Sequence, residues 1–144
     1  MPLTALLGYR INRLSAAMGQ QADRDAQAVA GLTLAEYRVS TVLLLGGPQG
    51  VAHLEQATLI DKAWISRTLG RLIIKKIVRS RSDPADRRRT VFTLTPKGRR
   101  AAITLIERSK QRQARFLRGL SARECDQLIA LLDRVQRNVE YQDC

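Results

Sequence analysis

Leu3, Leu6, Leu7, Ile11, Leu14 and Met18 recur at three- and four-residue intervals, the spacing of one face of a helix. Alanines carry the pattern toward Ala30, and Gly31 suits a left-handed stop. Thr33-Leu34-Ala35-Glu36 has the residues of a capping box, with a carboxylate three positions after the cap. The helix it opens runs through Val39, Val42, Leu43 and Leu45 and ends at Gly46-Gly47-Pro48. Val51 to Ala57 is a short helix, and Asp61 caps another that runs to about Lys75 or Lys76. Apolar and polar residues then alternate from Ile77 to Ser82 and from Thr90 to Thr95, as in strands. Between them Asp83-Pro84-Ala85-Asp86 is a turn with proline at its favoured second position, followed by Arg87-Arg88-Arg89. Thr95-Pro96 starts a helix to about Leu117, threonine at the cap and proline at the first helical position. Gly119 breaks it, and Ser121-Ala122-Arg123-Glu124 opens the last helix. Cys125, Leu128, Ile129, Leu132, Val135 and Val139 share one stripe of that helix.

The expected fold is mainly α with a small β-hairpin wing. A short helix, a second helix and a hairpin in succession make a winged helix-turn-helix, placed at residues 31–96. The first and last helices carry apolar stripes with little else to pack on, and such stripes need a partner. The economical partner is a second copy of the chain. Residues 1–30 and 97–144 are therefore expected to form a helical dimerisation region.

The distribution of charge points to a function. The chain of 144 residues has a net charge of +12 and is 44% hydrophobic. Lys62 to Arg100 holds thirteen Lys and Arg against Asp83 and Asp86, and the remaining residues nearly balance. Charge spread for solubility would be even, whereas a concentrated basic stretch is the footprint of phosphate binding. No run of about 18 apolar residues exists to span a membrane. Met1-Pro2-Leu3-Thr4 lacks the charged start of a secretory signal. With two distant cysteines, Cys125 and Cys144, a reducing bacterial cytoplasm is expected, with the protein associated with the nucleoid.

At helical steps from Asp61, Ile65, Leu69 and Leu72 fall on one face, and Ala63, Trp64, Arg67, Arg71 and Ile74 on the opposite one. Two arginines beside a tryptophan suit a helix in the major groove, where arginine donates a bidentate pair to guanine. Lys62, Ser66 and Thr68 flank this face, and Ser66 and Thr68 are candidate phosphate donors. Arg87, Arg88 and Arg89 at the wing tip cannot all be structural partners of Asp83 and Asp86, so one or two are free for a narrow minor groove. Asp86 is expected to fix the loop. His53 is the only histidine, and no phosphate loop, dinucleotide loop or paired carboxylate site is visible. An enzyme, a metal site or a cofactor is not expected.

Ile60-Asp61-Lys62-Ala63-Trp64-Ile65-Ser66-Arg67, Arg71-Leu72, Asp83-Pro84-Ala85-Asp86-Arg87-Arg88 and Leu94-Thr95-Pro96-Lys97-Gly98 together resemble the signature of the multiple antibiotic resistance regulator (MarR) family. Gly31-Leu32-Thr33 resembles it too, so the likeness covers nearly the whole chain. The resemblance implies a homodimer on double-stranded DNA at a palindromic operator, with the fourth helix in the major groove and the wing in the minor groove. It also implies release by a small phenolic or carboxylate effector. Tyr9, Arg10, Arg13, Tyr37 and Arg38 are the candidate effector residues, with Arg10 the first choice. The competing account pairs these arginines with Glu36, Asp23 or Asp25. Three residues depart from the pattern: Lys76 where glycine usually ends the fourth helix, Glu55 where alanine is usual, and Leu59 at a turn that favours small or polar residues. Lysine at 76 must take a strained cap or extend the helix. An architectural DNA protein without a ligand is the alternative function.

Overall fold

The computed structural model describes residues 2–141. After a 3-10 turn at Leu3–Ala5 come α1 (Leu7–Ala30), α2 (Leu34–Gly46), α3 (Val51–Thr58) and α4 (Lys62–Ile74). The strands β1 (Val78–Ser82) and β2 (Thr90–Leu94) follow, then α5 (Pro96–Phe116) and α6 (Ala122–Glu140). The chain divides into two compact units after Ser109, inside α5. Cys144 lies outside the described residues.

Each cap has a local cause. The first helix begins four residues later than the apolar spacing suggests, because Leu6 offers no side-chain cap and takes an extended backbone. Arg10 instead donates through Nε to the Thr4 carbonyl at 2.6 Å, which holds the preceding turn. At the other end Gly31 takes φ 61°, and Leu32 N–H returns to the Ala26 carbonyl at 3.1 Å.

In the first unit, Leu32, Val39, Leu43, Leu54, Ile65, Leu69, Leu72, Ile77, Val78 and Leu105 make the buried core. Ala22 and Ala26 bring α1 onto it. The inward face expected for α4 is thus observed. β1 pairs antiparallel with β2, Val78 opposite Leu94 and Ser80 opposite Phe92. Gln49 adds a bridge to Phe92, which fastens the hairpin to the segment before α3.

The Leu94-Thr95-Pro96-Lys97-Gly98 segment is a joint. Thr95 Oγ1 donates to the carbonyls of Lys76 and Ile77 at 2.7 and 3.2 Å and accepts from Gly98 N–H at 3.0 Å. A Cβ at residue 98 would stand 2.0 Å from the Ile77 carbonyl oxygen, so only glycine permits this approach. Lys76 takes φ 58°, the strained cap rather than the longer helix. Leu59, ending α3, also takes φ 58° and is 93% exposed.

In the second unit α6 contains no buried residue, and Ile129, Leu131 and Val139 are among its exposed apolar side chains. Cys125 on α6 is half-buried.

Candidate nucleic-acid interface

α4 starts where Asp61 Oδ1 accepts Trp64 N–H at 3.0 Å. Lys62, Ala63, Ser66 and Arg67 are exposed, and Trp64 is 49% exposed. Ser66 Oγ donates back to the Lys62 carbonyl at 3.1 Å. Arg67 has no side-chain partner among the described residues. Thr68 is fully buried, which removes its hydroxyl from the set of phosphate donors expected from the sequence.

Arg71 is placed differently from Arg67. Its Nε donates to Glu36 Oε1 at 3.2 Å, and its Nη2 points to Thr68 Oγ1 at 3.4 Å. Lys75 Nζ reaches Glu36 Oε2 at 2.6 Å and the Gly31 carbonyl at 2.8 Å. Glu36 also accepts Thr33 N–H at 3.0 Å, so one fully buried carboxylate joins the start of α2 to the end of α4. A buried carboxylate is costly unless paired and hydrogen-bonded, and here it is both. The sequence marks Glu36 as a cap but carries no sign of partners 35 and 39 positions away.

The wing loop is built by its two aspartates, as the sequence suggests. Asp83 Oδ1 accepts Ala85 N–H at 2.9 Å, and Asp86 Oδ1 accepts Arg88 N–H at 3.0 Å. Asp86 also pairs with Arg89 at 3.5 Å. The side chains of Arg87 and Arg88 are exposed and have no partner among the described residues. Arg79 and Arg81, which the sequence reading passed over, stand opposite Thr93 and Val91 on the hairpin face away from Val78, Phe92 and Leu94. Both are exposed. Their signal was the alternation Arg-Ser-Arg in a strand, which puts both arginines on one side.

The candidate effector residues fall in three places, two hollows and the core. Tyr9, Arg10 and Arg13 line an open hollow of about 380 Å³ with Thr4. Arg13 lies 5.9 Å over the Tyr9 ring, and Arg10 is held by Thr4. Arg38 is exposed and lines a second hollow, about 450 Å³, with Gly19, Gln20, Asp23 and Leu34 among its neighbours. Tyr37 belongs to the core and lines neither hollow, because its ring is buried among the apolar residues of the first unit. Of the proposed acidic partners, Asp23 accepts Leu34 N–H at 2.9 Å, Asp25 meets Arg108 at 3.5 Å and Glu36 holds α4.

A helix-turn-helix backed by a basic hairpin defines a winged helix-turn-helix DNA-binding protein. The chain belongs to the MarR family of transcriptional regulators, whose model matches residues 30–89. It is 31% identical to the HTH-type regulator YdgJ of Bacillus subtilis (strain 168), over 78% of this chain and 69% of the relative. It is 29% identical to the transcriptional repressor NicR of Pseudomonas putida, over 72% and 66% respectively. Its fold matches BpsR of Bordetella bronchiseptica, whose DNA binding is regulated by 6-hydroxynicotinic acid. The TM-score is 0.77 at 26% identity, covering 94% of this chain and 96% of that one. A MarR/EmrR family regulator from Acinetobacter sp. ADP1 matches with TM-score 0.87 at 23% identity, covering 98% and 99%. Among the described residues no single helix is long and apolar enough to cross a membrane.

Proposed function

We propose that the chain is a homodimeric repressor that binds a palindromic operator and releases it when a small aromatic carboxylate or phenol binds. The observation that carries the DNA half is the set of exposed cations without a side-chain partner among the described residues, Lys62 and Arg67 on α4 and Arg79, Arg81, Arg87 and Arg88 on the wing. Cations arranged this way neutralise phosphates and displace condensed counterions. The exposed stripes of α1 and of α6 support a dimer whose second copy covers them. Residues 31–96 are then the DNA-binding part and residues 1–30 and 97–144 the dimerisation part. The relationship to NicR and BpsR supports repression and an aromatic acid as effector.

The second hollow is the better effector site. Arg38 supplies a cation there without a partner among the described residues, whereas Arg10 and Arg13 are engaged by Thr4 and Tyr9. An occupant would touch Asp23 on α1 and Leu34 in the first turn of α2, and Glu36 in that turn grips α4. A ligand that favours a displaced α2 weakens DNA binding by its differential affinity for the two states.

The test compares binding to the chain's own promoter with a scrambled duplex at one salt concentration. DNA release and thermal shift are then measured with a panel of aromatic carboxylates, 6-hydroxynicotinic acid included. Arg38→Ala should abolish the response and Arg10→Ala should leave it. Equal binding to both duplexes and no responsive compound would favour the ligand-free architectural protein.

A further inference from the structure

The sequence puts Arg67 and Arg71 on one outward face of α4 as two equivalent base readers. The structure makes them different. At about 100° per residue the buried side chains Ile65, Thr68, Leu69 and Leu72 centre on one direction, and Ala63, Arg67 and Gly70 lie opposite it. Arg71 lies toward the flank shared with Lys75, and both reach Glu36. Its Nε and Nη2 are turned onto Glu36 and Thr68. A bidentate contact to guanine needs an outward pair of donors: Arg67 has its whole guanidinium free for one among the described residues, whereas two of the five Arg71 donors are held by Glu36 and Thr68.

Gly70 is the second, independent observation. It lies inside α4 and is exposed, and a Cβ built there meets nothing within 4 Å. Glycine inside a helix is less favourable than alanine, and no contact among the described residues requires it here. What glycine does allow is the close approach of another molecule to the helix backbone.

Resting on the DNA-binding reading above, we infer that Arg67 is the guanine-reading arginine of α4, that Arg71 is a positioning residue acting through Glu36, and that Gly70 marks the closest approach of the duplex. The half-site then has one guanine contact read by α4. Beside it is a thymine whose methyl packs on Ala63, the small apolar side chain one turn before Arg67.

The experiment selects duplexes from a randomised pool with the full-length wild-type protein and then measures variants on the enriched sequence. Arg67→Ala and Arg67→Lys should both lose the guanine preference, about tenfold or more, because an ammonium does not reproduce the planar fork. Replacing that guanine by 7-deazaguanine should weaken the wild type and leave Arg67→Ala unaffected. Replacing the adjacent thymine by uracil should cost the wild type a few-fold. Arg71→Ala should weaken binding to every duplex without changing the selected sequence, and Arg71→Lys, which keeps a cation for Glu36, should restore it. Gly70→Ala should raise the melting temperature by about 2 °C and yet weaken DNA binding about tenfold. A purely structural role would move both in the same direction. The inference is overturned if Arg71→Ala erases a guanine preference that Arg71→Lys does not restore, or if Gly70→Ala binds as tightly as the wild type. If no sequence is enriched and weak binding depends only on salt, the regulator reading itself fails, a different result from a changed half-site.

Discussion

Two helices of this chain open with the same four-residue device and use it differently. At the start of α2, Thr33 Oγ1 accepts Glu36 N–H at 3.3 Å while Glu36 accepts Thr33 N–H at 3.0 Å. At the start of α6, Ser121 Oγ accepts Glu124 N–H at 3.3 Å while Glu124 accepts Ser121 N–H at 2.7 Å. Locally the boxes are interchangeable. Glu36, however, is fully buried and holds Arg71 and Lys75, whereas Glu124 is exposed and its carboxylate bonds only to Ser121 among the described residues. A capping box thus reports where a helix begins. Whether its carboxylate also governs a distant helix depends on what folds over it.

The two boxes differ most at their glutamates. Glu36→Ala should destabilise the protein by about 2–3 kcal/mol and weaken operator binding strongly. Removing one partner of a buried ion pair typically costs about 3–5 kcal/mol. The lower figure follows because Arg71 and Lys75, at 45% and 35% side-chain exposure, can turn to water. Glu124→Ala should cost no more than an ordinary surface cap and leave DNA affinity intact. Urea denaturation and operator titration of both variants check this, and equal losses from the two would dissolve the distinction.

The same contrast explains what could be read from the sequence. Both boxes, the Asp61 cap, the inward face of α4 and the aspartate-built wing loop depend on neighbours within four or five positions, where spacing is informative. The roles of Arg71, Thr68 and Tyr37 depend on elements far along the chain. Arg71 looks outward on a helical wheel because the wheel knows nothing of Glu36. Thr68 looks like a flank residue, yet the core of the first unit closes over it. Arg79 and Arg81 are legible in principle through strand alternation, but the denser arginine run at the wing tip is the stronger signal. Gly98 stood in the family motif, and only the approach of the Ile77 carbonyl shows why no side chain fits there.

A smaller effect is expected at the cap residues themselves. Thr33→Ala and Ser121→Ala each remove one side-chain acceptor, worth about 1 kcal/mol. Thr33→Ala should also lower operator affinity, because a loosened Glu36 loosens its hold on α4. Ser121→Ala should leave that affinity unchanged at protein concentrations where the proposed dimer is intact. Thermal melts and operator titrations give both numbers for each variant. An unchanged affinity in Thr33→Ala would confine that box to local capping, like the other.

The smallest effect is a pH dependence carried by the exposed box. The backbone N–H of Ser121, and then its hydroxyl, hold the Glu124 carboxyl below the usual glutamate range, against a weaker opposing effect of burial. A carboxyl with a lowered pKa in the folded state contributes stability above its unfolded pKa, and the contribution fades as pH falls through the folded value. The wild type should therefore be slightly more stable than Glu124→Gln at neutral pH. Glutamine can occupy the same box but does not ionise. The gap should close on acidification below the ordinary glutamate pKa of about 4.3. Melting curves of the two proteins at matched concentration, from neutral pH to about pH 3, test the sign, since the lowered Glu124 pKa places the loss below the ordinary value. A gap that persists unchanged to the acid end would mean that the difference between the two side chains is not the carboxylate charge, and that the box at Ser121 works through geometry alone.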